Sequence, residues 1–249
     1  MKRVLMLGGT GDAAQLVAQT SALPGIEVIT SLAGRVRQPM TAAGRVRIGG
    51  FGGTEGLINY IREQHIDLLI DATHPFAAQM SHHAATAALA CGLPHLMLVR
   101  PAWEPVAGDR WLSVESIAAA VEMLPEVARR VFLTIGRQEI AAFASLQDLW
   151  FLMRMIDPPM PNTPVPPGTL VLARGPFALE DERQLLQTHA IEAIVSKNSG
   201  GDATYAKIMA ARELGLPVVM IQRPPLPGEE QVADVEQAMA WLVRHLDGA

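Results

Sequence analysis

The strongest constraint on the fold is an alternation. Short runs rich in valine, isoleucine and leucine recur at 3–7, 26–30, 67–70, 95–99, 131–135, 170–173, 191–195 and 217–221. Between them lie segments with helical spacing, at 12–22, 54–65, 76–91, 115–123, 137–145, 179–189, 202–214 and 231–246. A strand buried on both faces reads as a continuous apolar run, because each face must meet a layer of helices. Strand and helix in succession imply parallel pairing through right-handed crossovers. The chain is therefore expected to be α/β, with parallel sheets. Its 249 residues suit one large domain or two small ones, and 49% hydrophobic residues suffice for a sizeable core.

The alternation breaks over 100–114 and again over 157–169, where six of thirteen residues are proline. Proline at that density excludes a helix or an inner strand. Strand-like runs flank the second break closely, so a rigid surface loop is expected there. The chain divides better after the helix at 115–123, giving α/β halves at 1–125 and 126–249. A strand exchanged between the halves would leave no trace in a one-dimensional reading.

Net charge is −5, which argues against nucleic acid as a partner. No apolar run approaches the roughly 18 residues needed to cross a bilayer. The opening MKRVLMLGGTGDAAQL reads as a strand entering a glycine loop rather than a signal peptide. Cys91 stands alone in an apolar stretch, a small hydrophobe with no disulfide or cysteine metal cluster to join. A cytoplasmic location is expected. The basic residues are 17 arginines and 3 lysines, a ratio that coding bias also produces. Arginine offers carboxylates and phosphates a planar fork.

Ligands of parallel sheets bind beyond the carboxyl ends of the strands, so the residues following each strand carry the functional information. After the first strand, Gly9, Gly11 and Ala14 fit G-x-G-x-x-G/A between a strand and a helix. Backbone there can approach a pyrophosphate, and Asp12 would suit the helix N-cap. After the second strand, Ser31, Arg35 and Arg37 replace the acid that binds ribose hydroxyls in NAD sites. Hydroxyl plus guanidinium suits a 2′-phosphate, favouring NADPH. Next, Gly49, Gly50, Gly52 and Gly53 leave little side chain to obstruct a ligand, and the last two open a helix.

The run LLIDATHPFA ends a strand in Thr73 and His74, with Pro75 placed to begin a helix. Thr73 suits a cap; His74 reads either as a cap or as a hydrogen-bonding, proton-handling group. His82 and His83 fall eight and nine residues on, a poor spacing for a shared metal. In the second half the strand ends carry Arg137, then Arg174, then Ser196, Lys197, Asn198, Ser199 and Gly200 before a helix that Asp202 could cap. The first half thus presents glycines and the second cations.

In order along the chain, GGTGDA, SLAGR, DATHPFA, TIGRQ, ARGPF and SKNSGG closely resemble the precorrin-6A reductases of cobalamin (vitamin B12) biosynthesis. DATHPFA and SKNSGG are the specific motifs; at Gly11 and Asp12 the first loop departs from the family's glutamate-bearing version. The resemblance implies two Rossmann-like domains with the active site in the cleft, and NADPH-dependent reduction of one double bond of precorrin-6A or its cobalt form. It implies no metal or flavin. Carried onto this sequence, His74 and Lys197 become the catalytic candidates, for electrostatic guidance or proton supply, though either could bind a carboxylate instead. Gly8, Gly9, Thr10, Gly11, Asp12, Ser31, Arg35, Gly52, Gly53 and Thr73 become the cofactor-binding set. Arg137, Arg174, Ser196, Asn198, Ser199 and Gly200 become the set facing a tetrapyrrole polycarboxylate, whose acidic arms call for arginine forks. Neighbouring enzymes of the pathway are the protein partners to consider. Two rivals stand beside this reading. One is a transferase using S-adenosylmethionine, whose lack of a phosphate leaves Ser31 and the arginines unexplained. The other is a non-catalytic tetrapyrrole-binding protein, which has no use for a dinucleotide loop.

Overall fold

The computed structural model describes residues 1–33, 44–228 and 230–247. Its elements begin with β1 (Lys2–Leu7), α1 (Gly11–Ser21), β2 (Ile26–Leu32), β3 (Arg45–Ile48) and α2 (Gly53–Glu63). Then follow β4 (Leu68–Asp71), α3 (Ala78–Cys91), β5 (His95–Leu98), β6 (Trp111–Val114) and α4 (Ile117–Val127). Next come β7 (Arg130–Thr134), β8 (Trp150–Met155), β9 (Gly168–Leu172), α5 (Leu179–Thr188) and β10 (Ala193–Lys197). The chain closes with α6 (Ala206–Glu213), β11 (Val218–Ile221), β12 (Gln231–Val232) and α7 (Val235–Asp247). The expected α/β architecture is present.

Two compact units result, one from Met1–Pro101 with Pro224–Ala249, the other from Ala102–Arg223. The chain therefore divides at 101/102 and 223/224, not at 125/126. The helix taken as the boundary is α4, which packs on β6 and β11 inside the second unit. The reason lies in the strand order. The first sheet runs β12-β5-β4-β1-β2-β3 and the second β6-β11-β10-β7-β8-β9, all parallel. Each begins with a central strand, adds two on one side, then two on the other. The sixth position is exchanged: β6, which follows β5 in the chain, completes the second sheet, and β12, which follows β11, completes the first.

Strand alternation sorts side chains onto two helical layers. In the first unit Val4 and Met6 join Val28, Leu68 and Ile70 against Leu16 and Val17 of α1 and Ala238, Trp241 and Leu242 of α7. Leu5 and Leu7 turn the other way, with Ile29 and Leu69, onto Leu57, Ile61, Ala84 and Ala88 of α2 and α3. The carboxyl-terminal helix is thus a structural layer of the first unit, secured by Trp241, whose Nε1–H donates to Glu230 at 2.7 Å. In the second unit Phe132, Leu152, Ile194 and Met220 pack with Leu186 of α5, Ile208 and Ala211 of α6, and Trp103.

Other boundaries moved as well. The helix expected at 137–145 is one 3-10 turn, Ile140–Phe143. That expected from 231 is a two-residue strand followed by α7. The strands β3, β6 and β8 were not anticipated, and 157–167 links β8 to β9 as a surface loop.

Candidate active site

The first unit's carboxyl edge is made largely of backbone. Thr10 caps α1, its hydroxyl accepting from Ala13 N at 3.1 Å and donating to Ala72 O at 2.9 Å. One side chain thereby closes the helix and ties the glycine loop to the end of β4. Asp12 is not the cap. It sits in the first turn and pairs with Arg100 at 2.9 Å, which offsets an acid that would otherwise repel an anion at this helix end. Gly8 is packed by Ala13, Leu32 and Thr30, each 3.5 Å from where a Cβ would stand. Gly9, Gly11, Gly49, Gly50, Gly52 and Gly53 would each carry a Cβ with no atom of the described residues within 4 Å beyond their local chain neighbours. For Gly9 and Gly52 the backbone requires glycine, with φ of 118° and 83°. Gly11 and Gly50 have no such φ, so neither packing nor backbone conformation requires glycine there. Backbone left open in this way can be approached closely by a ligand, which fits a pyrophosphate-bearing cofactor.

At the end of β2, Ser31 is buried and accepts from Arg47 Nη1 at 3.1 Å. Arg47 also donates to Gly49 O and Gly50 O and lies 3.7 Å over the Phe51 ring. It escaped the sequence reading because β3 carries no continuous apolar run. The only signal was its two-residue lead on the glycines. Arg35 and Arg37 lie outside the described residues. Gly52 is the N-cap of α2, as anticipated.

At the end of β4, Thr73 does not cap a helix, since α3 begins only at Ala78. Its N–H and hydroxyl both donate to Asp71 Oδ1, at 3.0 and 2.7 Å. Asp71 is 2% exposed, and its Oδ2 has no partner among the described residues. Phe76 N–H donates to His74 Nδ1 at 3.2 Å. That bond requires Nδ1 to be bare, so the neutral ring carries its proton on Nε2. His74 is thereby a donor at its outer nitrogen.

The second unit's carboxyl edge is cationic. Arg137 is half-buried and makes no hydrogen bond or ion pair among the described residues. Arg174 follows β9 and is exposed. Ser196 and Lys197, expected in a loop, are the last residues of β10. Lys197 Nζ donates to Glu139 at 2.6 Å, a partner the sequence reading missed although it lies two residues past Arg137. Ser196 is 1% exposed and donates to Lys197 O, so its hydroxyl faces inward. Asn198 also serves the fold: its Oδ1 accepts from Trp103 N at 2.8 Å and its Nδ2 donates to Trp103 O at 3.0 Å. Arg223 donates to the carbonyls of Asn198 and Ser199, at 2.8 and 3.0 Å. Ser199 is half-buried, and Gly200 and Gly201 take φ of 68° and 73°. The loop is therefore pinned by residues at both ends of the second unit, leaving Lys197 and Ser199 half-buried at its edge, whereas Gly200, expected there, is buried. Asp202 does not cap α6, which starts at Ala206.

Behind this edge lies a buried charged cluster. Arg154 makes a two-point contact with Glu182 and lies 3.7 Å over Phe177. Lys207 donates to Thr204 O at 2.8 Å. Burial, reinforced by the nearby Arg154 charge, pushes the Lys207 ammonium down to about 7.

The first sheet's strand order and its glycine loop between β1 and α1 are those of a Rossmann-like α/β protein. Residues 3–243 match the family model described as Precorrin-6x reductase CbiJ/CobK, so the chain belongs to that family. The precorrin-6A reductase of Rhodococcus erythropolis is 54% identical over 97% of this chain and 98% of its own. That of Rhodobacter capsulatus is 44% identical over 98% and 97%. A solved structure described as CobK precorrin-6A reductase superposes with a TM-score of 0.91 at 42% identity, covering 98% of this chain and 97% of that one.

Proposed function

We propose that this chain reduces one double bond of precorrin-6A, using NADPH. The observation that carries the substrate class is Arg137, a half-buried guanidinium with no protein acceptor among the described residues, on the same sheet edge as Arg174 and Lys197. A half-buried guanidinium is poorly placed to rely on water, and a carboxylate arm supplies its acceptors two at a time. The relatives named precorrin-6A reductase are 44–54% identical, whereas that named cobalt-precorrin-6A reductase from Priestia megaterium is 28% identical. This supports the metal-free macrocycle.

The first unit binds the dinucleotide through Gly8, Gly9, Thr10 and Gly11 at the α1 amino terminus, with Gly52, Gly53 and Thr73 along the same edge. Ser31 and Arg35 receive the 2′-phosphate. When bound, NADPH supplies the hydride. Reduction of a conjugated imine-type system also consumes a proton, and a donor beside the ring lowers the cost of the charge that develops. His74 offers Nε2–H in the first unit, and Lys197, held by Glu139, offers an ammonium in the second. Arg137, Arg174 and Ser199 orient the macrocycle's arms.

The test is a titration of the pure protein with NADPH, NADH and S-adenosylmethionine, followed by an anaerobic assay on metal-free and cobalt-loaded precorrin-6A. Preference for NADPH and turnover of the metal-free form are expected. Tight S-adenosylmethionine binding with none of NADPH would refute the reading.

A further inference from the structure

We infer that Arg47 is a second binding residue for the adenosine 2′-phosphate and sets the preference for NADPH over NADH; this rests on the NADPH reading above. Three observations converge on it. First, Arg47 pairs in register with Ser31 across β2 and β3, so both side chains leave the same face of the first sheet at its carboxyl edge. That edge is where a parallel sheet meets the ribose of a dinucleotide, and Ser31 stands where an NAD site would carry an acid.

Second, the charge of Arg47 is uncompensated. Arg3 pairs with Glu27 and Arg100 with Asp12, but no carboxylate meets Arg47 among the described residues. Its partners are the Ser31 hydroxyl and the carbonyls of Gly49 and Gly50, all neutral acceptors. Two contacts use Nη1 and one uses Nη2. A guanidinium has five N–H groups, so Nε–H and one Nη2–H remain without an acceptor among the described residues. A phosphate monoester dianion takes such a pair in a bidentate contact.

Third, the side chain is already held. The Phe51 ring lies 3.7 Å beneath it and Tyr60 5.2 Å away, and the carbonyl contacts fix the guanidinium plane. A pre-organised fork loses little side-chain freedom on binding. The same contact orients Ser31: its oxygen accepts from Arg47, so its hydroxyl hydrogen is left to donate elsewhere. Among the described residues, nothing beyond their chain neighbours comes within 4 Å of a Cβ built on Gly49 or Gly50, so the backbone there is open.

The experiment measures dissociation constants for NADPH, NADH, adenosine 2′,5′-bisphosphate and 5′-AMP on the wild-type chain, Arg47→Met and Arg47→Lys. The two nucleotides lacking nicotinamide isolate the phosphate contribution. Expected is a 10- to 100-fold loss for NADPH and adenosine 2′,5′-bisphosphate in Arg47→Met, against a loss below threefold for NADH and 5′-AMP. Arg47→Lys, which keeps the charge but not the fork, should recover part of that loss. Equal losses for both pairs, or none, would overturn the inference and leave Arg47 as a brace for the glycine loop. A wild-type chain binding NADH as tightly as NADPH would instead refute the cofactor reading, and the role of Arg47 with it. Should Arg47→Met fail to fold, Arg47→Lys alone decides: an unchanged NADPH-to-NADH ratio overturns the assignment.

Discussion

Both sheets arrange six parallel strands in one spatial order, yet their carboxyl edges and interiors are built from different chemistry. The first edge presents glycine backbone and a helix amino terminus, with Asp12 offset by Arg100. The second presents Arg137, Arg174 and Lys197 around a loop pinned by Asn198 and Arg223. Backbone recognises a phosphate chain whatever its remaining groups, whereas forks recognise a particular constellation of acids. The interiors differ in parallel. The first unit buries Asp71 beside its two apolar clusters, while the second buries Arg154, Glu182 and Lys207 beside its own. One strand order therefore specifies the frame, and the residues at the strand ends specify what it holds.

The largest way to break this comparison is to strip the buried Arg154–Glu182–Lys207 cluster of its anion. Glu182→Ala leaves Arg154 and Lys207 buried and uncompensated, at a cost of about 3–5 kcal/mol in urea unfolding. Replacing the pair together, Arg154→Met with Glu182→Leu, should recover most of that loss, because the penalty belongs to the orphaned charge. A single variant losing under about 1 kcal/mol would show that the cluster is solvated.

Next in size is the second edge. Arg137→Ala should raise the macrocycle KM ten- to a hundredfold, about 1.4–3 kcal/mol, while the NADPH dissociation constant stays within error. An unchanged KM would remove Arg137 from the substrate's path.

The third prediction uses pH. Lys207 is pushed down from 10.5 to about 7 in the folded chain, so between those values the unfolded chain binds the additional proton. Stability conferred by the neutral amine is complete above 10.5 and is lost as pH falls toward 7. Across the window the slope approaches about 1.4 kcal/mol per pH unit. Lys207→Met should flatten the slope between pH 7.5 and 9.5. Parallel pH profiles for the two proteins would contradict a buried, proton-shedding lysine.

What the sequence made legible follows the same division. Runs buried on both faces, such as 68–70 and 218–221, announce themselves, because their side chains are apolar throughout. The edge strand Arg45–Ile48 does not, since it is largely exposed and alternates arginine with apolar residues. The strand Trp150–Met155 was masked by Arg154, a charge that looks like a surface residue until Glu182 is seen beside it. The exchange of β6 and β12 is a fact of pairing, and no local pattern encodes it. Among the candidate site residues, position after a strand singled out Lys197, His74 and the glycines, which lie at the carboxyl edges of the sheets. It could not tell that Asn198 and Ser196 turn inward, or that Glu139 and Arg47 belong to the same edges, because those contacts join segments far apart in the chain or lie off the strand ends.

The smallest prediction sharpens the backbone side of the comparison. Thr10 serves two purposes with one hydroxyl: its oxygen accepts from Ala13 N and its hydrogen is donated to Ala72 O. Thr10→Val keeps the shape and loses both bonds; Thr10→Ser keeps both bonds and loses a methyl. If the hydroxyl is what matters, Thr10→Val should cost about 1 kcal/mol of stability, the usual value of a helix cap, and Thr10→Ser only a few tenths. Because that hydroxyl also ties the glycine loop to β4, Thr10→Val should weaken NADPH and NADH alike, in contrast to the phosphate-selective loss expected at Arg47. A selective loss at Thr10 would mean that the loop reads the 2′-phosphate as well, and the division between a backbone grip on the pyrophosphate and a guanidinium grip on the adenosine phosphate would not hold.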